Sequence, residues 1–206
     1  MNTKTLLKML LPALALAVLC GCYTLSIHPL YDEEHLTLEP NIVGVWGNSE
    51  NSAETWEFQK NGENAYRLIV REEGLKETGK EPAKVELVTT VDSTKDGVFE
   101  AHLVKLGKYL FMDLYPEEPL LGNELTKSMV IPTHMFFRIT LKGDTLELGM
   151  FDLEQFMKEN NQVLPLKHET VDGIKLLTAS TGELQAFMLK HVDKAFFDEE
   201  IAYRLK

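Results

Sequence analysis

The stretch that decides the fold is residues 55–70, which read TWEFQKNGENAYRLIV. Trp56-Glu57-Phe58 alternates apolar and charged side chains, and the run from Tyr66 to Val70 is rich in aromatic and branched residues, so both are typical of β-strands. Asn61-Gly62 stands between them and suits a tight turn whose two central residues need positive φ. The stretch therefore predicts an antiparallel β-hairpin.

The same pattern recurs and extends the hairpin into a longer sheet. Further turn dipeptides separate strand-like runs: Asp96-Gly97 between residues 85–91 and 98–106, Gly107-Lys108 before residues 109–115, Gly143-Asp144 between residues 135–141 and 145–151, and Asp172-Gly173 between residues 169–171 and 174–177. Residues 201–205 form a candidate last strand. We therefore predict a mainly β protein, an antiparallel meander that forms a barrel or a strongly curved sheet.

Two short helices are predicted late in the chain. The first begins at Asp152 with Gln155 three residues on, a combination that suits a helix start. Ser180 and Glu183 form a candidate capping box for the second helix. Apolar positions then follow at helical spacing, namely Leu153, Phe156 and Met157 in the first helix and Leu184, Phe187 and Met188, with His191, in the second. We expect these stripes to pack in a core.

The start of the chain has the three parts of an export signal. Lys4 and Lys8 give it a positive end, and the apolar run from Leu10 to Leu19 is shorter than the roughly 20 residues that cross a bilayer. Leu19-Cys20-Gly21-Cys22 follows and resembles the lipobox of bacterial lipoprotein precursors. Cleavage before Cys20 would place Leu19 where that pattern has a small residue, so Cys22 is the predicted lipidation site.

This resemblance implies how the chain is divided and where in the cell the protein is located. Residues 1–21 are expected to be a lipoprotein signal peptide, residues 22–40 a lipidated tether with two prolines, and residues 41–206 a β-rich globular domain. Tyr23 follows the cysteine in place of the aspartate that commonly retains lipoproteins in the inner membrane. The analogy therefore favours a cell-envelope protein anchored in the outer membrane and facing the periplasm.

Charge limits the partners. The 206 residues carry a net charge of −11, and removing Lys4 and Lys8 with the leader makes it −13. Such a surface repels a phosphate backbone, so nucleic acid is not an expected partner. It also repels anionic lipid headgroups, so membrane attachment should depend on the lipid at Cys22.

A second resemblance rests on Gly44-Val45-Trp46. It is similar to the lipocalin pattern, in which Gly-x-Trp opens the first strand of a closed up-and-down barrel. The resemblance implies a lipocalin-like barrel in which an arginine from late in the chain covers the tryptophan. Arg204 is the first candidate for that role and Arg138 the second. The sequence departs from the family in its two late helices, in the long segment from Pro116 to Pro132, and in lacking Thr-Asp-Tyr.

Glu100, His102 and His134 are the candidate polar groups of a pocket. Glu100 and His102 share a strand face with Val98 and Val104. If that face lines the barrel interior, Glu100 and His102 form the polar end of a pocket that His134 joins. The alternative is a hydrogen-bonded structural pair, or an outward face near the membrane.

No catalytic or cofactor motif is present, so we expect neither an enzyme nor a cofactor. Five residues of metal-ligand type lie close together, namely His28, Asp32, Glu33, Glu34 and His35. Their segment looks like a solvated linker rather than a rigid site, so no metal is expected.

Two functions remain open. The first is a membrane-anchored lipoprotein that binds a small hydrophobic ligand or lipid in its barrel, since closed barrels of about eight strands can hold one. The alternative is a structural or assembly lipoprotein that acts through contacts with other envelope proteins and has no ligand cavity.

Overall fold

A computed structural model describes residues 24–47, 54–71, 75–78, 84–87, 96–117, 125, 128–161, 164–171 and 174–205. Within these residues the strands are β1 (Leu25–Ser26), β2 (Leu36–Thr37), β3 (Gly44–Gly47), β4 (Thr55–Asn61), β5 (Ala65–Arg71), β6 (Leu75–Thr78), β7 (Lys84–Leu87), β8 (Gly97–Leu106), β9 (Tyr109–Pro116), β10 (Met135–Lys142), β11 (Thr145–Phe151), β12 (His168–Val171), β13 (Ile174–Leu177) and β14 (Phe196–Arg204). The helices are α1 (Leu153–Glu159) and α2 (Thr181–Ala195), with a 3-10 turn at Pro40–Ile42.

Eight of these strands form a closed antiparallel barrel. Their order around the ring is β3, β4, β5, β8, β9, β10, β11 and β14, so each strand pairs with the next barrel strand along the chain. Arg204 of β14 pairs with Trp46 of β3 and closes the ring. The predicted mainly β fold, a meander closing into a lipocalin-like barrel, is therefore confirmed.

Three of the predicted turns join neighbouring barrel strands. Gly62, Gly107 and Gly143 each have φ between +59° and +65°, in the left-handed region that glycine adopts without strain. They lie between β4 and β5, β8 and β9, and β10 and β11. These tight turns mark one end of the barrel, which we name the closed end. Longer connections leave the other end, which we name the open end.

The expected hairpin at Asp96-Gly97 is wrong. Gly97 is the first residue of β8, and β8 pairs with β5 on one side and β9 on the other. β5 pairs with residues 97–101 of β8 and β9 with residues 99–106, so the part of β8 next to the dipeptide is already paired with strands other than residues 85–91. Within that range the described strand β7 pairs with β6 in a separate two-stranded sheet. Asp172-Gly173, between β12 and β13, lies outside the described residues, although the two strands pair as predicted.

Two apolar clusters separate the inside of the barrel from its outer wall. The inner cluster alternates along every barrel strand and includes Trp46, Phe58, Tyr66, Leu68, Ala101, Leu103, Met112, Leu114, Phe137, Ile139, Leu146, Leu148 and Ala202. The outer cluster joins the opposite faces of β8 to β11 and β14 to the helices, through residues such as Val104, Phe111, Phe136, Phe151, Phe187 and Met188. Strands with two apolar faces are thus filled inside and covered outside.

Both predicted helices are present with their expected N-caps. The Asp152 side chain accepts a hydrogen bond from the Gln155 amide at the start of α1. Ser180 and Glu183 form the capping box of α2. The stripe of α2 that contains Leu184, Phe187 and Met188 is buried in the outer cluster, as expected for core packing. The last strand is longer than the predicted residues 201–205, because it begins directly after α2 at Phe196.

The expected tether over residues 22–40 is wrong in its described part. From residue 24 onward, this segment packs along the outer wall of the barrel. β1 pairs in parallel with β13, β2 pairs with β8, and Leu30 is fully buried in the outer cluster. The two prolines favour extended backbone, and here that extended backbone is used for sheet pairing. Burial of Leu30 stabilises a segment that looked like a linker.

The expected signal peptide over residues 1–21 and the lipidation site at Cys22 lie outside the described residues. Within the described part of the chain, no helix is both long enough and apolar enough to cross a membrane.

Candidate functional site

Arg204 covers Trp46 at the closed end of the barrel. Its guanidinium carbon lies 4.3 Å from the centre of the indole ring, a geometry that gives cation–π attraction. Its two terminal nitrogens donate to the carbonyl oxygens of Val43 and Asn41. The Trp46 ring is fully buried, and its Nε1 donates to the Ile42 oxygen at 2.7 Å. This is the contact expected from the lipocalin resemblance, whereas Arg138 is placed on the outer face between Phe137 and Ile139, which point inward.

Gly44 is required by this arrangement for two reasons. Its φ of +136° is a conformation that residues with a side chain rarely adopt. A Cβ atom at this position would also collide with the guanidinium of Arg204. The Gly-x-Trp motif therefore leaves space at Gly44 for the side chain of Arg204 and supplies, in Trp46, the ring that this arginine covers.

A surface depression of about 550 Å³ lies beside Arg204 at the closed end. Its lining is mostly polar and comprises Glu39, Pro40, Asn41, Val43, Leu141, Gly143, Asp144 and Arg204. The arginine is already bonded to two carbonyl oxygens and lies 3.2 Å from the Asp144 carboxylate. The cation of this depression is therefore already paired, and its apolar lining is limited to Pro40, Val43 and Leu141.

The open end presents apolar side chains that are only partly buried. Trp56, Val70, Phe99, Met135 and Met150 belong to the inner cluster, but each retains some exposure to solvent. They lie near the ends of β4, β5, β8, β10 and β11 that face away from the tight turns. The Trp56 and Phe137 rings meet edge to face with their centres 5.7 Å apart. Leu110 and Leu141, the other two partly buried members of the inner cluster, lie beside the tight turns. The open end therefore carries most, but not all, of the partly exposed apolar side chains of the barrel interior.

The structure brings Glu100, His102 and His134 together, but on the outside of the barrel wall. Ala101 and Leu103 point into the barrel, so Glu100 and His102 point away from it. This face does not line the interior, so the alternative of an outward face applies. β8 is apolar on both faces, and alternation alone does not say which face is inside. The polar group lies instead beneath the N-terminal segment, where the Tyr31 ring stacks on His102 at 4.0 Å.

The pKa of His102 is lowered in this cluster. Burial is the main effect on it and lowers its pKa, while the negative charges of Glu100 and Asp113 act in the opposite direction. His102 Nε2 lies 3.2 Å from a Glu100 oxygen, and Nδ1 is buried with no hydrogen-bond partner among the described residues. Burial also raises the pKa of Tyr31, with further contributions from Asp113 and Glu100.

Asp113 is the centre of the cluster, and sequence reasoning missed it. Its side chain is fully buried; Oδ1 lies 2.7 Å from His134 Nδ1, and Oδ2 accepts from the Leu30 amide at 2.7 Å. His134 also exchanges two backbone hydrogen bonds with Ser26. Asp113 of β9 lies opposite His102 of β8. The signal in the sequence that could have identified Asp113 is a single acidic residue in an otherwise apolar strand. Asp113 and His134 together fasten residues 26–30 to the barrel wall.

Asp32, one of the acidic residues of the N-terminal segment, is used in local structure. Asp32 Oδ1 lies 2.7 Å from His35 Nδ1, and Asp32 Oδ2 accepts from the Gln185 side chain of α2 at 3.1 Å. Hydrogen bonding to His35 and Gln185 holds the pKa of Asp32 below its usual value. In the described ranges, no three residues of metal-ligand type are grouped as a metal site would require.

Comparison of the chain with known protein families, with curated proteins and with solved structures gives no match.

Proposed function

We propose that the mature chain is a lipoprotein, anchored in the outer membrane through Cys22, which binds a small hydrophobic ligand or lipid at the open end of its barrel. One observation carries the ligand proposal. Five of the seven partly buried members of the apolar inner cluster, namely Trp56, Val70, Phe99, Met135 and Met150, lie at the open end of the barrel. Glu100 and His102 point outward, so the five open-end side chains just named offer a ligand dispersion and hydrophobic contact.

The buried side chains near the closed end limit how deep a ligand can enter the barrel. Trp46, Phe58, Tyr66 and Leu146 are buried and occupy the interior near the closed end. A bound molecule would contact Trp56, Val70, Phe99 and Met150 and leave these deeper residues in place. An acyl chain inserted at one end fits this shape better than a bulky ring system enclosed on all sides.

The anchor proposal is supported by the lipobox resemblance at Leu19-Cys20-Gly21-Cys22. Two or three acyl chains hold a protein on a membrane where one chain binds only marginally. We propose no catalytic activity, no cofactor and no nucleic-acid partner for this domain. The acid surplus of the mature chain supports the last of these statements.

Native mass spectrometry tests the ligand proposal. The chain from residue 22, carrying Cys22→Ala so that it has no lipid, is purified without harsh detergent and measured directly. We expect an adduct of lipid mass, or its appearance after incubation with a lipid extract, because the open end is apolar. A bare protein mass under both conditions would contradict ligand binding and favour the assembly lipoprotein, whose partners would then be sought among envelope proteins.

A further inference from the structure

A buried histidine lies between the N-terminal segment and the barrel wall. His102 of β8 is only 8% exposed, and the Tyr31 ring of the segment stacks on it with the two ring centres 4.0 Å apart. The segment is held to the wall on both sides of Tyr31. The Leu30 amide donates to Asp113, and β2 pairs with β8 from the residue directly after His102. The segment therefore covers His102 and keeps it from water.

Titratable groups surround His102 from each element packed against it. They are Glu100 of β8, Asp113 and Tyr115 of β9, His134 before β10, and Tyr31 of the N-terminal segment. Both oxygens of Asp113 already contact other groups, namely His134 Nδ1 and the Leu30 amide. Glu100 lies 3.2 Å from His102 Nε2, but its side chain is 42% exposed, so water screens its charge.

This environment opposes a positive charge on the covered ring. A protonated imidazole carries a hydrogen-bond donor on each nitrogen, and Nδ1 of His102 is buried with no partner in the part of the chain that the structure describes. Burial is the largest effect on His102 and lowers its pKa below 6.5, while Glu100 and Asp113 act in the opposite direction. Once the segment is detached, water hydrates the ring and its pKa returns towards the ordinary value.

We propose that the N-terminal segment, residues 24–37, and His102 form an acid-sensitive latch, in which protonation of His102 detaches the segment from the outer wall of the barrel. Below about pH 6.5 the detached state binds a proton that the covered ring does not yet bind, so acid favours detachment. One proton raises the equilibrium constant for detachment by at most about tenfold for each pH unit. The inner cluster that fills the barrel contains no histidine, so the barrel itself should stay closed. The latch requires neither a lipid anchor nor a ligand at the open end.

Hydrogen–deuterium exchange read by mass spectrometry tests the latch. The full chain is expressed in cells and purified in mild detergent, so the result does not depend on how its first residues are processed. The reporters are the amides of Ser26, Ile27 and Leu30, which donate to groups on the wall and on β13. Exchange is measured at pH 7.5, 6.5 and 5.5, and each rate is divided by the intrinsic rate at that pH to give a protection factor. We expect protection at the reporters to fall severalfold from pH 7.5 to 5.5, while β10 and β11 keep theirs.

Two variants remove the titration without removing the side chain. His102→Phe keeps a ring beneath Tyr31, and His102→Gln keeps a polar group, so the test does not depend on how well one replacement is tolerated. Both should make protection at the reporters independent of pH in this range. His28→Gln and His191→Gln are the controls, because His28 is exposed on the same segment and His191 lies on α2, where burial also lowers its pKa. Both controls should retain the pH dependence of the parent.

Three results would overturn the latch. The first is protection at the reporters that does not change between pH 7.5 and 5.5 in the parent. The second is a pH dependence that persists in both His102→Phe and His102→Gln, which would assign it to another group. The third is an equal loss of protection in β10 and β11, which would show that acid opens the whole barrel.

Discussion

Replacement of Asp113 by alanine is expected to lower the free energy of unfolding by about 3–5 kcal/mol, because leaving two buried polar groups without their partner costs about 1–3 kcal/mol each. The change leaves the Leu30 amide and His134 Nδ1 buried without their acceptor. At 2–4 °C for each kcal/mol in a domain of this size, the melting temperature should fall by roughly 10 °C. Thermal unfolding followed by circular dichroism measures it.

Asp113→Asn is the matched variant, because it keeps one carbonyl acceptor but replaces the carboxyl group. We expect it to lower the free energy of unfolding by less than Asp113→Ala does. Hydrogen exchange shows whether Asp113 acts by holding the N-terminal segment. The Leu30 amide should exchange much faster in Asp113→Ala than in the parent protein. A large loss of stability with unchanged exchange at Leu30 would show that Asp113 does not fasten this segment.

Arg204→Ala is expected to lower the free energy of unfolding by about 2–3 kcal/mol. It removes a cation–π contact worth about 1–2 kcal/mol and two charge-assisted hydrogen bonds that are partly exposed. The melting temperature should therefore fall by about 5–10 °C. The environment of Trp46 should also change, which intrinsic fluorescence detects.

Arg67→Ala is the control for the loss of a positive charge. Arg67 is half-exposed and pairs with Glu117 at 3.1 Å, so its removal should cost less than about 1 kcal/mol. Arg204→Lys retains the charge but cannot reach the ring and both carbonyl oxygens together. Its melting temperature should therefore lie between those of Arg204→Ala and Arg67→Ala. Equal melting temperatures for Arg204→Ala and Arg67→Ala would contradict a structural role for the contact between Arg204 and Trp46.

Local signals in the sequence predicted most of the barrel correctly. Asn61-Gly62 and the glycines at 107 and 143 mark tight turns, because positive φ is a backbone requirement that few residues meet. Asp152 and Ser180 marked the helix starts for an equally local reason, since their side chains accept from backbone amides. Asp96-Gly97 misled because a turn-prone dipeptide does not show which strands are free to pair.

Features that depend on distant parts of the chain were harder to predict. Arg204 could be assigned to Trp46 only through the resemblance, because the two residues meet where the first and last barrel strands close the ring. The outward position of Glu100 and His102 was not accessible, since both faces of β8 carry apolar residues. The packing of residues 24–40 was missed because their short strands β1 and β2 pair with strands more than sixty residues away.

The measurement that tests the central claim most directly is a titration with an apolar fluorescent probe, 1-N-phenylnaphthylamine, on the chain from residue 22 carrying Cys22→Ala. Val70→Trp narrows the open end, where Val70 pairs with Trp56, whereas Arg67→Trp places the same ring on the outer face of the same strand. We expect Val70→Trp to weaken binding at least about tenfold, or 1.4 kcal/mol. Arg67→Trp should bind like the parent. Equal affinities for both variants, or no binding by the parent, would contradict a ligand site at the open end of the barrel.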